Sequence, residues 1–522
     1  MTVRSSLCMI VRDNRTTLQA CLESIRPWVD EMVVIDTGSI DETPEIAHRC
    51  GARVHEFPWC DDFAAARNES LRHAQGHWLF WMDSDDTIDA VNGGALRQLT
   101  RESGAGAMAY VMQVHCPGVG QDGSEEVTIV DHVKLFRNLP ELRFEGRIHE
   151  QILPAVRRLG GELAWTDLFV SHSGADHTVE GKCRKYRRDL RLLQLELQDK
   201  PDHPFVLFNF GMTYVDMRDF AQADMYLKRC LDVSTEQESH VPKAYALLVV
   251  ALAEQQQWSE ATNVCRAGRE RFPSDLELQF REALLFQNCG NLEAAAAAYQ
   301  ALCNSPRDRH FTSIVRGLDS YKARHNLALT YAEMGRPDLA ELQWRLVLEE
   351  VPEYRPGWRA LGDLLLTEKK YVTAEVLAEQ LCERGQSCCE GHMLVARLAE
   401  LQGNLNRARQ ELQTASDEFP HDVDLLQQRC RFLFEHGPCE DSIGALDELR
   451  RRTSDPAPVL HNLGHAFLRY GQPQEAIAAL RESLTLRPDA PHTAELLVIA
   501  LEQIAHPAES DLLRESPAVS PR

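Results

Sequence analysis

The 522 residues are 44 % apolar and 26 % charged, and Asp and Glu outnumber Lys and Arg by 79 to 56, a formal charge of −23. That balance excludes a binder of duplex nucleic acid, which needs a basic face to displace counterions, and unaided docking to an anionic membrane. The length exceeds one ordinary hydrophobic core, so two or more domains are expected.

No stretch reaches the length of a transmembrane helix. The first apolar run spans only Leu7 to Val11, with Arg12-Asp13-Asn14-Arg15 directly after it, so no signal peptide is expected. Fifteen cysteines lie scattered without a CxxC pair, and Cys388-Cys389 sits in a helical pattern. This predicts reduced thiols in a cytoplasmic protein, not a disulfide frame or a zinc site.

In chain order, Leu7–Val11 reads as a buried parallel strand, and Leu18, Leu22 and Ile25 give helical spacing over Thr16–Ile25. Met32–Ile35 is a second strand, closed by Asp36-Thr37-Gly38-Ser39-Ile40-Asp41-Glu42-Thr43. Pro44–Cys50 is a second helix, Arg53–Phe57 a third strand and Phe63–Ala74 a third helix. A fourth strand, Trp78 to Met82, ends in Asp83-Ser84-Asp85-Asp86. Alternation of this kind predicts a doubly wound sheet whose ligands bind beyond the carboxyl ends of the strands, where Asp36, Asp83 and Asp85 fall. Carboxylates gathered at one strand end call for a cation among them, and an Asp-x-Asp pair supplies the oxygen ligands that Mg²⁺ or Mn²⁺ prefers. The bland alternative is a solvated turn that also caps a helix. Asp36 can accept from a ribose hydroxyl or a base N–H, or else cap the next helix. Arg67 offers a planar fork for diphosphate or base oxygens, or an ion pair with Asp61 or Asp62.

These motifs together resemble the family 2 nucleotide-sugar glycosyltransferases, which have a GT-A fold. The matching segments are Leu7–Asn14, Asp36-Thr37-Gly38-Ser39-x-Asp41-x-Thr43, Ala66-Arg67-Asn68 and Asp83-Ser84-Asp85-Asp86. The resemblance implies a Rossmann-like α/β domain with a mostly parallel sheet over residues 1–200. It implies a nucleotide-diphosphate sugar, UDP-sugar foremost, held by Asp13, Asp36, Arg67 and Asp83. Asp83 and Asp85 would hold the metal, with His172 completing its coordination. Val133–Arg137 reads as a strand. Leu142-Arg143-Phe144-Glu145-Gly146-Arg147-Ile148-His149-Glu150 resembles a segment of a bacterial branch that includes lipopolysaccharide-core glucosyltransferases and peptide S-glycosyltransferases. An inverting transfer needs a base beside the acceptor, which points to Glu150. His149 is then its orienting partner, a metal or phosphate contact, or a loop-holding residue. The basic run Lys182, Arg184, Lys185, Arg187, Arg188 is expected on the solvated face of a helix ending near Lys200.

From about Pro204 the chain turns helical and repeats. Ala261 and Ala295 lie 34 residues apart, as do Ala340, Ala374 and Ala408, and Ala476 stands two such steps beyond with Ser442 between. Gly464, Phe467, Gly471, Ala476, Leu480 and Pro488 form the clearest copy of a pattern that resembles the tetratricopeptide repeat. An all-α superhelix of about eight TPR repeats is expected over 201–515, with a disordered tail over 516–522. The 45-residue step from Ala295 to Ala340 predicts a longer loop or an extra helical turn over Pro306–Ser320. A groove of this type recruits a protein or peptide, or mediates self-association.

The leading reading is an inverting, metal-dependent glycosyltransferase whose repeats recruit an acceptor, either a protein or peptide or a saccharide or lipid-linked one. The alternative is a TPR interaction scaffold with a non-catalytic GT-A domain. A nucleotidyltransferase would show a glycine-rich loop after the first strand, and Cys8–Asn14 contains no glycine. Removal of residues after about 204 is expected to spare donor hydrolysis and impair transfer.

Overall fold

The computed structural model describes residues 3–102, 106–119, 125–174, 178–305, 311, 313–383, 389–453, 455–488 and 490–504. The expected tail and Cys388 lie outside them. The chain divides into two compact units, Met1–Tyr354 and Arg355–Arg522. No disulfide forms among the described cysteines, and no described helix is long and apolar enough to cross a membrane.

The first unit opens with β1 (Ser5–Val11), α1 (Leu18–Ile25), β2 (Glu31–Asp36), α2 (Thr43–Arg49), β3 (Arg53–Glu56), α3 (Phe63–His73) and β4 (Trp78–Trp81). Both faces of the sheet are covered at β1, β2 and β4, which is why these strands carry the apolar runs Leu7–Val11, Met32–Ile35 and Trp78–Trp81, whereas the edge strand β3 is partly exposed. Leu7, Met9 and Val11 pack on one side with Leu18, Leu22, Ile25 and Phe80; Cys8 packs on the other with Leu71, Leu79 and Phe136. Next come β5 (Asp86–Thr87), α4 (Ala90–Glu102), β6 (Ala109–Val119), β7 (Glu125–Arg137), α5 (Leu153–Arg158), β8 (Leu163–His172) and α6 (Val179–Asp199). The strand order is β3-β2-β1-β4-β7-β6-β8-β5. β3-β2-β1-β4 is parallel, as is β6–β8, but β4–β7, β6–β7 and β5–β8 are antiparallel. The sheet is therefore mixed, not mostly parallel. Antiparallel pairing needs no crossover helix, and the strand-helix alternation is broken where β5 follows β4 and where β7 follows β6.

α4 carries Gly93-Gly94, which a helical pattern does not predict. A Cβ at Gly93 would come within 2.3 Å of the Trp28 indole, so close packing on that ring requires glycine.

Four helical pairs complete this unit: α7 (Pro204–Asp216) with α8 (Phe220–Val233), α9 (Val241–Glu254) with α10 (Trp258–Arg271), α11 (Leu276–Asn288) with α12 (Leu292–Cys303), and α13 (Tyr321–Glu333) with α14 (Pro337–Glu350). The long step between the third and fourth pairs holds a strand, β9 (Ser313–Val315), where a loop or helical turn was expected. β9 pairs antiparallel with Thr128–Val130 of β7. A cut after residue 204 would thus remove a strand of this sheet along with the repeats, so truncation does not give the expected separation of the two functions.

The second unit contains α15 (Arg355–Thr367) with α16 (Tyr371–Glu383), α17 (Glu390–Leu401) with α18 (Leu405–Glu418), α19 (Val423–His436) with α20 (Cys439–Arg452), α21 (Ala457–Arg469) with α22 (Pro473–Leu486), and α23 (Pro491–Gln503). The periodic alanines at 261, 295, 340, 374, 408 and 476 are all fully buried, as is Ser442 in the same position. Ser442 satisfies its hydroxyl on the Leu433 and Pro438 carbonyls at 2.6 and 3.0 Å, which lets a polar residue stand in an alanine's place. Gly464 lets α21 approach α22, since a Cβ there would lie 2.4 Å from Leu480 Cγ. Gly464→Ala is expected to destabilise the second unit by about 1–3 kcal/mol through overpacking, read as a lower urea midpoint. A midpoint equal to wild type would mean that Leu480 moves aside without cost.

Candidate active site

The carboxyl ends of β1 and β2 meet at the Val11–Asp36 register pair. Buried Asp36 accepts from the Ser39 N–H at 3.2 Å and from the Ser39 hydroxyl. That hydroxyl oxygen accepts from the Asp13 N–H at 3.0 Å, and Asp13 Oδ1 accepts from the Ile40 N–H at 2.8 Å. Gly38 at φ 102° permits the turn, and Asp13 adopts φ 53°, which a short polar side chain tolerates. Asp41 takes the N–H and hydroxyl of Thr43 at the start of α2, so Asp36 is not that helix's cap. Asp13 and Asp36 thus share one knitted loop at the sheet's carboxyl edge.

After Trp81 the chain leaves the edge of β7. Asp83 and Asp86 close a tight turn, with the Asp83 N–H on Asp86 Oδ2 and the Asp86 N–H on the Asp83 carbonyl, both 3.1 Å. Asp86 then pairs in register with His172 at the end of β8. Lys134 of β7 donates to Asp86 Oδ2 at 2.9 Å, and both side chains are fully buried. His172 Nδ1 lies 2.9 Å from Asp86 Oδ1 and 3.5 Å from Asp85 Oδ1. From α3, Arg67 donates to Asp83 at 2.6 Å and, through Nε, to Glu150; its side chain is 6 % exposed. Trp81 serves both cations: its ring centroid is 4.3 Å from Arg67 Cζ and 3.7 Å from Lys134 Nζ, a cation–π platform.

Burial by itself would raise all three aspartates, and their partners decide the outcome. At Asp83 the Arg67 guanidinium outweighs burial and holds the carboxyl below its usual range. At Asp86 the Lys134 ammonium and the His172 hydrogen bond do the same more strongly. Asp85 moves the other way: burial pushes its carboxyl up, with His172 only partly opposing. His172 is raised by its bond to Asp86.

The segment ending in Glu150 is a closed loop. Glu145 and Gln151 exchange backbone hydrogen bonds at 3.0 and 2.9 Å, and Gly146 at φ 97° with His149 at φ 54° turns the chain between them. Asn68 binds the Phe144 backbone twice, at 2.9 and 2.8 Å, and the Arg147 carbonyl accepts from the Phe63 N–H at 2.8 Å at the start of α3. The Ala66-Arg67-Asn68 motif therefore ties this loop to the aspartate turn. Asp62 caps α3 at Ala65 and Asp61 pairs with Arg191, so neither is the partner of Arg67. Among the sequence-predicted residues, Arg67, Asp83 and Glu150 are in direct contact, and Asp85 and His172 adjoin them. His149 does not bond to Glu150. Its Nε2 is buried without a partner, and burial lowers its affinity for a proton, opposed in part by the charges of Asp189 and then Glu150.

Sequence reasoning named Asp86 and Asn68 only as motif members and gave no site role to them, to Lys134 or to Trp81. A lysine set between Val133 and Leu135-Phe136 in a strand was the available signal for Lys134, since an unpaired ammonium is not buried.

One oxygen each from Asp83 and Asp86 and one ring nitrogen of His172 lie within 4.8 Å of one another. Asp83, Asp85, Asp86 and Glu150 face only Arg67 and Lys134 as permanent cations among the described residues. The site keeps negative charge to spare, centred on Asp85, and this oxygen-rich donor set fits a divalent cation.

Residues 6–113 match Glycosyl transferase family 2, and residues 206–236 and 457–490 match Tetratricopeptide repeat. The chain is similar to a TPR repeat-containing protein of Synechococcus elongatus, 28 % identical over 342 residues, covering 64 % of this chain and 72 % of that one. It is also similar to the SPbeta prophage-derived glycosyltransferase SunS of Bacillus subtilis, 24 % identical over 292 residues, covering 54 % and 67 % of the two chains. Among solved structures, a tetratricopeptide repeat protein from Parabacteroides merdae aligns at 15 % identity and TM-score 0.35 over 57 % of this chain and 98 % of that one. The chain is a glycosyltransferase, with a family 2 domain at its N-terminus and tetratricopeptide repeats after it.

Proposed function

We propose that this chain is an inverting, divalent-metal-dependent transferase that moves a sugar from a nucleoside-diphosphate donor, a UDP-sugar foremost, to an acceptor recruited by the repeats. The observation that carries this reading is the bridge from Arg67 to both Asp83 and Glu150, beside an Asp85 whose charge is the least neutralised. Asp13 and Asp36 bind the nucleoside. Asp83, Asp85 and His172 hold Mg²⁺ or Mn²⁺. Asp86 occupies His172 Nδ1, leaving Nε2 as the ligating nitrogen and fixing the ring. A bound ion supplies Lewis-acid stabilisation of the departing diphosphate. Glu150, oriented by Arg67, takes the acceptor proton. His149 shapes the loop in this reading, since its ring bonds to no member of the cluster.

The acceptor is a protein or peptide in the first instance, because helical repeats present extended surfaces to such partners. A cleft of about 460 Å³ supports that reading: Arg157 and Trp165 of the catalytic domain and Phe272 and Phe311 of the repeat region line it.

Calorimetric titration with nucleoside diphosphates, with and without Mn²⁺, tests the donor site. The expected result is metal-dependent binding of UDP. In Asp85→Ala the affinity with Mn²⁺ falls at least about tenfold, and the metal-free affinity stays within about twofold. Absence of any nucleotide binding in the folded wild type would overturn the reading and move function to the repeats as a scaffold.

A further inference from the structure

β4 and β9 lie on the same edge of β7, because β6 occupies the whole of the other edge. Phe80 of β4 stands opposite Leu135, and Ser313 of β9 stands opposite Val130. Five residues of strand separate those two levels, about 17 Å. Between them, at Asp131–Lys134, β4 no longer pairs with β7, and the chain after Trp81 carries the aspartate turn across to β8. The Trp81 indole N–H reaches back to the Val133 carbonyl at 2.8 Å within that gap. β9 therefore takes up the same edge of β7 beyond that gap, its nearest rung at Val130, four residues along the strand from the lysine that neutralises Asp86.

The segment after β9 reaches a second strand of the site. The Arg316 N–H donates to the Val127 carbonyl at 2.8 Å, and its guanidinium Nη2 donates to His115 Nδ1 of β6 at 3.1 Å. His115 Nε2 is 3.0 Å from Gln113 Oε1, and its ring stacks on Phe169 of β8 at 4.0 Å between centroids. His115 is the register partner of Ser171, the neighbour of His172. Lys322, at the start of α13, forms an ion pair with Glu126 of β7 and ties the insertion to the same sheet from the helical side.

We propose that this insertion between the third and fourth repeat pairs positions the catalytic centre. β9 fixes the edge of β7 that presents Lys134 to Asp86, and Arg316, through His115, fixes the end of β8 that presents His172. The proposal rests on the metal reading only where His172 is treated as a ligand; the placement of the two strands is independent of it. The repeats are then part of the catalytic fold and not an appended adaptor. Residues 313–316 are positioning residues, since none of them touches the aspartates.

The test uses the full chain with Ile314→Pro, which removes a ladder N–H opposite Ile129, and the milder Arg316→Ala with its conservative partner Arg316→Lys. Two readouts are taken: hydrogen exchange without metal at 131–134 and 169–173, and Mn²⁺ affinity by calorimetry. Ile314→Pro is expected to speed exchange in both segments roughly tenfold while β1–β3 stay unchanged, and to weaken Mn²⁺ binding roughly tenfold. Arg316→Ala is expected to affect 169–173 alone and Mn²⁺ severalfold, with Arg316→Lys close to wild type. Unchanged exchange in both segments would overturn the proposal, as would exchange that rises equally across the whole sheet. A wild type that binds no Mn²⁺ would overturn the metal reading instead, and the exchange data would still decide the role of the insertion.

Discussion

Arg67→Ala is expected to cost about 3–5 kcal/mol of stability in the N-terminal unit and to lower the transfer rate by roughly a hundredfold or more. Arg67 is buried, and its removal strands two carboxylates at once. Glu150, 11 % exposed, accounts for most of the stability loss, because water reaches little of it. Asp83 is 39 % exposed, and solvent screens its share. The rate loss has a separate origin: Arg67 and Asn68 together hold the aspartate turn and the Glu150 loop in one arrangement. Arg67→Lys keeps the charge but has no planar fork to reach both carboxylates, so it should recover part of the stability and little of the rate. Glu150→Gln in the Arg67→Ala background should return part of the lost stability by removing a stranded charge. The checks are urea unfolding followed by exchange at β1 and β4, and transfer kinetics with saturating donor. An Arg67→Ala protein that is both stable within about 1 kcal/mol and fully active would show that the bridge is incidental.

The sequence made some of this legible and hid the rest for physical reasons. β1, β2 and β4 announce themselves because both faces are covered, so runs such as Met32–Ile35 are apolar throughout. The period-34 alanines announce the repeats because a small side chain is needed wherever two helices touch, and each proves fully buried. β9 leaves no comparable trace. Three residues, Ser313–Val315, carry no period, and what makes them a strand is an open edge on β7 almost two hundred residues away. The aspartate turn was legible as chemistry, but not the division of labour within it. Which carboxylate is neutralised and which remains available depends on Arg67, Lys134 and His172 arriving from three other elements. His149 and Glu150, adjacent in sequence, are parted by a left-handed residue: at φ 54° His149 joins no bond with the base, a conformation that sequence alone does not disclose.

Lys134→Met is expected to be the most destabilising single change in the site, because Lys134 and Asp86 are both fully shielded from water. Breaking such a pair from one side leaves an uncompensated buried charge, at a cost of about 3–5 kcal/mol. The Trp81 ring loses one of its two cations at the same time, adding roughly 1–2 kcal/mol, while Arg67 stays over it. The double variant Lys134→Met with Asp86→Asn separates two roles that the single change confounds. With both charges gone, the buried pocket is close to neutral and of similar volume, so most of the stability should return. Transfer should not return with it. Asp86 is the carboxylate that accepts from His172 Nδ1, and an amide in its place neither raises the affinity of the ring for a proton nor fixes its orientation as firmly. Urea midpoints and transfer rates measured on the same four proteins (wild type, each single variant and the double) therefore diverge if Asp86 orients the site. If instead stability and rate recover together, the pair is a space-filling element of the sheet, and the orientation of His172 must come from the β5–β8 register alone.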